Sequence, residues 1–287
     1  IYIAMRFGLF DRFGALNSKP VFAAFADSVK RKGHQVEYHD LNADVAVIWS
    51  VLWQGRMASN HRIWEHFHKK GKPVVILEIG ALDRGNLWKV CLNHINGAGY
   101  FGPTGNNSTR RNKIGLNLKP WKQGEYIYIC TQHPASQQWR GMPPVNVWLD
   151  QTIEEIRQHT MREIRIRPHP RSPITNTSYQ PFVTTEYAGH VSGTYDSFDF
   201  DKALDKAWAV VNHSSNVGPV AALNGVPVFV GLDSYAAPVG SFDLSRIEDP
   251  FMPDREQWAN DLAYTEWTVE EIASGEPLDR LLPKIIV

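Results

Sequence analysis

Apolar positions along this chain fall into two kinds of block that take turns. Short runs rich in Val, Ile and aromatic residues, at 2–7, 35–39, 45–49 and 73–78, have the length of strands; between them, 19–32 and 56–70 repeat apolar residues three and four apart, as a helix does. Such alternation predicts a parallel sheet covered by helices. Gly33 and Gly71 fall just past the two helices, where a helix ends in left-handed backbone, and each is followed by a strand. A second series runs through a strand at 126–130, a helix at 145–159 and a strand at 163–167. It continues with a helix-like 202–208 leading into the apolar 209–211, then a helix at 217–224 and a strand at 226–230. Two last helices, 255–263 and 269–274, have Asp254 and Thr268 as N-caps, and Gly275 closes the second. The expected fold class is therefore α/β with two Rossmann-like domains: 1–122, 123–253, and C-terminal helices 254–287 that pack back towards the first domain.

Residues 93–124 break this pattern. The stretch is rich in Gly and Asn and carries Arg110, Arg111, Lys113, Lys119 and Lys122, the one dense basic segment. Long irregular runs inside compact proteins are usually functional. The whole chain is neutral, with 30 basic and 30 acidic residues among 287, so no overall field draws it to nucleic acid or membrane. Any polyanion has to be met by a local patch. Cys91 and Cys130 stand alone without metal-ligand spacing, which suits a reducing compartment. No apolar run approaches the roughly 18 residues of a membrane span, and no basic and apolar leader precedes the first strand, so a soluble, cytoplasmic protein is expected. The first residue is Ile1 rather than Met, which leads us to expect residues upstream.

Chemistry concentrates at the ends of the predicted strands. Arg165-Ile-Arg-Pro-His-Pro-Arg171 follows a strand, and Pro168 and Pro170 fix the backbone on both sides of His169. His169 can serve a phosphate as donor or cation, and Arg167 and Arg171 offer bidentate grips on its oxygens. In Val210-Val-Asn-His-Ser-Ser-Asn216, strand, polar turn and helix come in the order that makes an anion pocket, so Ser214, Ser215 and Asn216 join the donor-binding candidates. Gln132 and His133, with Thr131, end the first strand of the second series and are placed beside them. Asp199-Phe-Asp201 has the Asp-x-Asp spacing of metal-dependent sugar transferases, but it precedes a helix, where acids cap; no metal site is assigned.

In the first half, Glu78 ends an apolar strand and is the leading candidate for a general base, with Asp83 and Asp11 as the others. Each of these has a bland alternative, an ion pair with Arg84 or a turn. Arg12, Asn17 and Arg84 lie in the loops after the first and fourth strands, where open α/β sheets bind ligands. With Arg110, Arg111, Lys113, Lys119 and Trp121 they make up the acceptor-binding candidates. Trp49, Trp53 and Trp88 near strand ends could stack on a base or sugar.

These residues resemble those of glycosyltransferases of the GT-B architecture, two Rossmann-like domains facing each other across a cleft. The His169-Pro170 and Ser214-Ser215 pairs are similar to the His-Pro and Ser motifs of bacterial sialyltransferases and of capsule-type keto-sugar transferases, where they bind the donor nucleotide. Asn224-Gly-Val-Pro-Val-Phe229 resembles the ending that follows that Ser motif. The first half departs from the sialyltransferase pattern: only Asp83-Arg84-Gly85 stands where paired acids and a Gly are expected, which argues against a CMP-sialic acid donor. Over its length, including Leu77-Glu-Ile-Gly80 and Leu118-Lys-Pro-Trp121, the chain is similar to capsule-synthesis-type transferases found among uncharacterised phage proteins. That resemblance implies transfer of sugar from a UDP- or CMP-linked donor, without a cofactor or metal, to a hydroxymethylated pyrimidine in viral DNA or to a glycan. The basic segment favours the DNA acceptor. A sugar-nucleotide epimerase of the same architecture and a non-catalytic sugar-nucleotide-binding module remain the alternatives.

Overall fold

A computed structural model describes residues 4–174, 181–194 and 196–286. The chain forms two compact units, one of residues 1–116 with 260–287, the other of residues 117–259.

The first unit opens with β1 (Arg6–Leu9), α1 (Lys19–Arg31), β2 (Gln35–Tyr38), β3 (Val45–Trp49), α2 (Asn60–Lys69), β4 (Val74–Ile79) and β5 (Trp88–Leu92). A short helix, α3 (Thr109–Lys113), lies in the Gly- and Asn-rich stretch. The second unit holds β6 (Tyr126–Cys130), α4 (Val145–Arg157), β7 (Ile164–Arg167), β8 (Val183–Thr185), α5 (Phe200–Leu204), β9 (Ala207–Val211), α6 (Val217–Leu223) and β10 (Val228–Phe229). Through α7 (Glu256–Leu262) the chain passes back to the first unit, which it completes with β11 (Glu266–Trp267), α8 (Val269–Ser274) and α9 (Glu276–Ile285).

The first sheet has the order β11-β5-β4-β3-β1-β2; β1 to β4 run parallel, β5 is antiparallel to β4, and β11 is antiparallel to β5 at the edge. Its strands β3 and β5 are buried along their whole length, and β3 reads as an unbroken apolar run, as strands covered on both faces do. Val21, Phe25 and Val29 of α1 pack in one core with Trp267, Ile272, Leu278, Leu281 and Ile285 from the C-terminal elements. The second sheet is parallel throughout, in the order β10-β9-β6-β7-β8. Ile153 and Ile156 of α4 close its core over Ile127, Ile164 and Val211.

Local signals set most boundaries. Gly33 and Gly71 have φ of 76° and 64°, ending α1 and α2 as anticipated. Thr268 caps α8 through a capping box with Glu271, and Gly275 follows at φ 93°. At Gly225, φ is 79° and a Cβ would sit on the carbonyl oxygen of Pro120, so the turn from α6 to β10 needs glycine twice over.

Several expectations shift. The first strand is at 6–9 rather than 2–7, and residues 2 and 3 lie outside the described residues. The helix expected at 56–70 begins as a 3-10 turn, Gly55–Met57, before α2. β5, β8, β11 and α9 went unread. β5 follows the turn-rich 80–87 and carries a lysine at its second position, and β11 has only two residues, too few to show a period. Among the described residues, no helix is long and apolar enough to cross a membrane.

Candidate functional site

In the second unit the chain winds outward from β6 to β7 and β8, then returns to the other side of β6 with β9 and β10. Strand order thus reverses between β6 and β9, and the carboxyl ends there are where open parallel sheets bind ligands. Thr131, Gln132 and His133 continue from β6 and are buried. The hydroxyl of Thr131 accepts the backbone N–H of His169, beyond β7, at 3.0 Å. The side-chain oxygen of Gln132 accepts the backbone N–H of Ser214, beyond β9, at 3.2 Å, while its amide nitrogen donates to Oε1 of Gln138 at 3.2 Å. His133 and His169 stand edge to face, ring centres 5.3 Å apart. One strand end thus gathers the proline-flanked histidine and the serine turn.

Two imidazoles here, buried His133 and half-buried His213, favour the neutral form. Burial lowers the pKa of His133, and Arg171 lowers it further; His133 Nδ1 accepts the Ala135 N–H at 3.1 Å. Burial also lowers His213, whose ring lies edge-on to Trp139 at 5.4 Å. His169 Nδ1 accepts the N–H of Arg171 at 3.1 Å, a bond the X-Pro-Arg turn makes local.

Beyond β9, Asn212 is buried; its amide nitrogen donates to the hydroxyl of Ser215 at 3.0 Å, and its oxygen Oδ1 has no hydrogen-bond partner. That leaves a buried acceptor directly beneath the serine turn. In the sequence motif Asn212 carries no assigned role. Its position, first polar residue after an apolar strand, was the available signal. α6, which follows Ser214, Ser215 and Asn216, has only seven residues, so its dipole contributes little and the turn itself supplies the polar groups.

The two arginines that flank His169 differ in their surroundings. Arg167 is 6% exposed; its guanidinium donates to Asp199 at 2.8 Å and to the Tyr128 hydroxyl at 3.3 Å and lies 5.6 Å from the Phe200 ring centre. Its guanidinium is thus engaged inside the unit. Arg171 is the half-exposed cation of the segment, 2.9 Å from Asp196. The Asp-x-Asp reading changes with Arg167, since Asp199 Oδ1 accepts both that arginine and the Gly189 N–H at 2.9 Å. Asp199 makes no side-chain cap bond to α5.

In the first unit the reversal lies between β1 and β3. Asn60, fully buried at the start of α2, donates to the carbonyls of Trp49 at 2.7 Å and Phe13 at 3.0 Å, joining the loops that leave these strands. Asp11, just after β1, lies 2.9 Å from Nε2 of His39, just after β2. Glu78 at the end of β4 is half-buried. Burial pushes its carboxyl up, partly offset by the Ser50 hydroxyl and by the Ile79 N–H at 2.8 Å. Lys89 of β5 stands between Glu78 of β4 and Glu266 of β11 in strand register, so a Glu–Lys–Glu ladder crosses three strands. Glu266, 1% exposed, accepts the N–H groups of Ala81 at 2.7 Å and Leu82 at 2.9 Å and therefore holds the turn after Glu78. Neither Lys89 nor Glu266 was read from sequence, because each becomes meaningful only once β11 is paired. Asp83 is a turn residue: its carboxylate accepts from Asn86 at 3.1 Å and its carbonyl from Asn86 and Leu87 N–H groups. Arg84 is half-buried near Glu78 and Glu266 and helps hold both carboxyls down. Arg12 is exposed, and Asn17 has a buried side-chain oxygen without a partner.

The basic stretch is largely engaged within the units. Arg110 is 3% exposed, donates to both oxygens of Glu271 at 2.6 and 2.8 Å and to two backbone carbonyls, and lies 3.9 Å from the Trp267 ring centre. It forms a core ion pair with Glu271. Lys113 donates to Glu271 at 2.7 Å and Lys119 to Asn224 at 2.7 Å; Arg111 is half-buried. Trp121 donates to Pro253 at 2.9 Å and is covered by the Arg255 guanidinium at 3.5 Å, so its ring is already stacked. Trp49 and Trp88 are core residues 5.8 Å apart, and Trp53 stacks on His61 at 4.9 Å.

Solved structures share this fold over nearly the whole chain. KpsC, beta Kdo 2,4 transferase, from Thermosulfurimonas dismutans aligns with a TM-score of 0.58 at 14% identity, over 92% of this chain and 91% of that one. KpsC, beta Kdo 2,7 transferase, from the same organism aligns with a TM-score of 0.51 at 15% identity, over 96% of this chain and 99% of that one. At these identities the likeness is one of fold, and the fold is GT-B. No family model and no curated protein sequence matches the chain.

Proposed function

We propose that this protein is a nucleotide-sugar-dependent glycosyltransferase whose donor is held by the second unit at the carboxyl ends of β6, β7 and β9. The observation that carries this reading is that consecutive residues of one strand end, Thr131 and Gln132, bind the backbone N–H groups of His169 and Ser214. Three segments far apart in sequence are thereby built into one polar site at the reversal of strand order, where such sheets take phosphorylated ligands. His169, Arg171 and the Ser214-Ser215-Asn216 turn then stabilise the departing phosphate by hydrogen bonding and charge. Asp199 is engaged by Arg167, so the phosphate is assigned to these protein donors and not to an Asp-x-Asp-bound ion.

The acceptor is a hydroxyl compound bound by the first unit. With Arg110, Lys113 and Lys119 holding partners within their own units, and with a neutral chain, we assign a glycan acceptor in preference to DNA carrying hydroxymethylated pyrimidine. The two proteins of like fold are named as Kdo transferases, which supports a sugar donor; we assign it a UDP or CMP carrier.

Incubation with UDP-, CMP- and GDP-sugars, in the presence of oligosaccharides, hydroxymethylated DNA or unmodified DNA, tests both parts by mass spectrometry. Sugar mass on an oligosaccharide is expected. Sugar mass on DNA alone reverses the acceptor assignment, and absence of transfer with release of an isomerised donor identifies an epimerase.

A further inference from the structure

We infer that Ser215 is the serine of the turn whose hydroxyl donates to the phosphate of the donor, and that Asn212 is the positioning residue that aims it. This assignment deepens the transferase reading and rests on it. Every group in it belongs to the second unit. The backbone N–H of Asn212 donates to the Phe229 carbonyl at 3.0 Å, so the ladder between β9 and β10 runs on into Asn212 and fixes where its side chain leaves the sheet. From there its amide nitrogen reaches the Ser215 hydroxyl oxygen at 3.0 Å and the Ser215 carbonyl oxygen at 3.3 Å.

The carbonyl decides which end of the amide faces the turn. A carbonyl oxygen only accepts, so it takes the nitrogen of Asn212 and repels the oxygen. Oδ1 therefore points the other way, towards α6, where a Cβ added at Gly218 would stand 3.1 Å from it; glycine at 218 lets the helix close over the amide. The Ser215 hydroxyl oxygen accepts from Asn212, and its own proton is thereby turned away from that nitrogen. Ser215 is half-buried, so a ligand can reach this proton. Ser214 is arranged differently. It is 4% exposed, its N–H donates to Oε1 of Gln132 at 3.2 Å, and Nε2 of Gln132 donates to its hydroxyl at 3.5 Å. Ser214 ties the turn to the end of β6, which leaves Ser215 to meet the ligand.

An anionic phosphate oxygen is the acceptor that such a preset O–H suits. Because Asn212 already holds the hydroxyl oxygen, Ser215 loses little rotational freedom when phosphate arrives. The chain of amide, hydroxyl and phosphate also polarises each bond in it. Neither side chain makes or breaks a covalent bond; both act on the negative charge that the nucleotide carries.

Calorimetric binding of UDP, CMP and GDP to the whole protein tests the pair. For the nucleotide that the wild type binds, Ser215→Ala is expected to weaken affinity about 30-fold, and Asn212→Leu by a similar factor. The double variant should lose no more than either, since the amide acts through the hydroxyl; losses that multiply to roughly 1,000-fold overturn the role of Asn212. The matching nucleoside, which lacks phosphate, should bind wild type and Asn212→Leu alike. A nucleoside weakened as much as its nucleotide marks Asn212 as a purely structural residue and also overturns its role. Ser215→Ala with wild-type affinity overturns the whole assignment and leaves the transferase reading standing. A wild-type protein that binds none of the three nucleotides overturns both. A crystal structure of the wild type with its nucleotide is independent of how the variants fold: a phosphate oxygen within hydrogen-bond distance of the Ser215 hydroxyl, with Asn212 still donating to it, is expected, and a phosphate held without Ser215 overturns the assignment.

Discussion

The backbone N–H of Ser214 donates to the side-chain oxygen of Gln132 at 3.2 Å, and this bond closes the carboxyl ends of β9 and β6 against each other. Both residues are buried, so the bond forms where water does not compete well for either group.

Gln132→Leu keeps the volume and removes the acceptor, leaving the Ser214 N–H buried without a partner. A stability loss of about 2 kcal/mol is expected by thermal or chemical denaturation. If the serine turn holds the departing phosphate, its displacement lowers turnover by about 100-fold and raises the KM for the donor. An unchanged KM would separate this bond from donor binding.

Arg110 and Glu271 form a buried pair on which the first unit depends. Burial pushes the Glu271 carboxyl up, but the hydrogen bonds from Arg110 and Lys113 outweigh it and bring its pKa down to about 2. A pKa lower in the folded chain than the ordinary 4.5 means stability present above 4.5 and lost as pH falls towards about 2, worth about 3 kcal/mol. Arg110→Met should cost about 4 kcal/mol at pH 7, because it strands a buried carboxylate. Its deficit should shrink as pH falls through the same window in equilibrium unfolding. Lys113, on an exposed stem, should matter far less.

Glu78→Gln separates charge from shape. Burial raises the folded pKa of Glu78, so the ionised carboxylate disfavours folding, and wild-type stability falls as pH rises through that raised value. The variant should melt higher than wild type at alkaline pH and at the same temperature below pH ~4, where both side chains are neutral. Its turnover should stay close to wild type. A collapse of turnover with nucleotide affinity intact would assign the base role to Glu78.

Asp199→Asn removes the counter-charge of Arg167. Because Asp199 is 36% exposed, the expected loss is about 2 kcal/mol, below the range for a fully buried pair. Turnover should be insensitive to a chelator in both wild type and variant. Restoration of the variant's activity by Mg²⁺ or Mn²⁺ would show that the carboxylate serves an ion.

The polar turns at the strand ends of the second unit were legible because their signals are local. An apolar run, a Pro-His-Pro turn and a Ser-Ser turn each announce themselves within about ten residues, and the α/β alternation says which ends face the same way. The first unit was less so. β5 breaks the expected parallel series by running antiparallel, and the two-residue β11 carries a buried glutamate that no pattern in its neighbourhood explains. Asp11 was picked out as a lone acid; its partner His39 closes a strand that, on its own, is mostly exposed.

By itself, then, the order of residues determined the two βα series, the helix stops at Gly33, Gly71 and Gly275, and the polar turns after β7 and β9, since each depends on backbone preferences within a few residues. Tertiary structure alone decided which charges were left for chemistry. Arg110 meets Glu271 across 161 positions, Arg167 meets Asp199 across 32, and His39 meets Asp11 across 28. A guanidinium looks the same in sequence whether it awaits a phosphate or closes a core. Burial and the partner that folding brings to it make the difference.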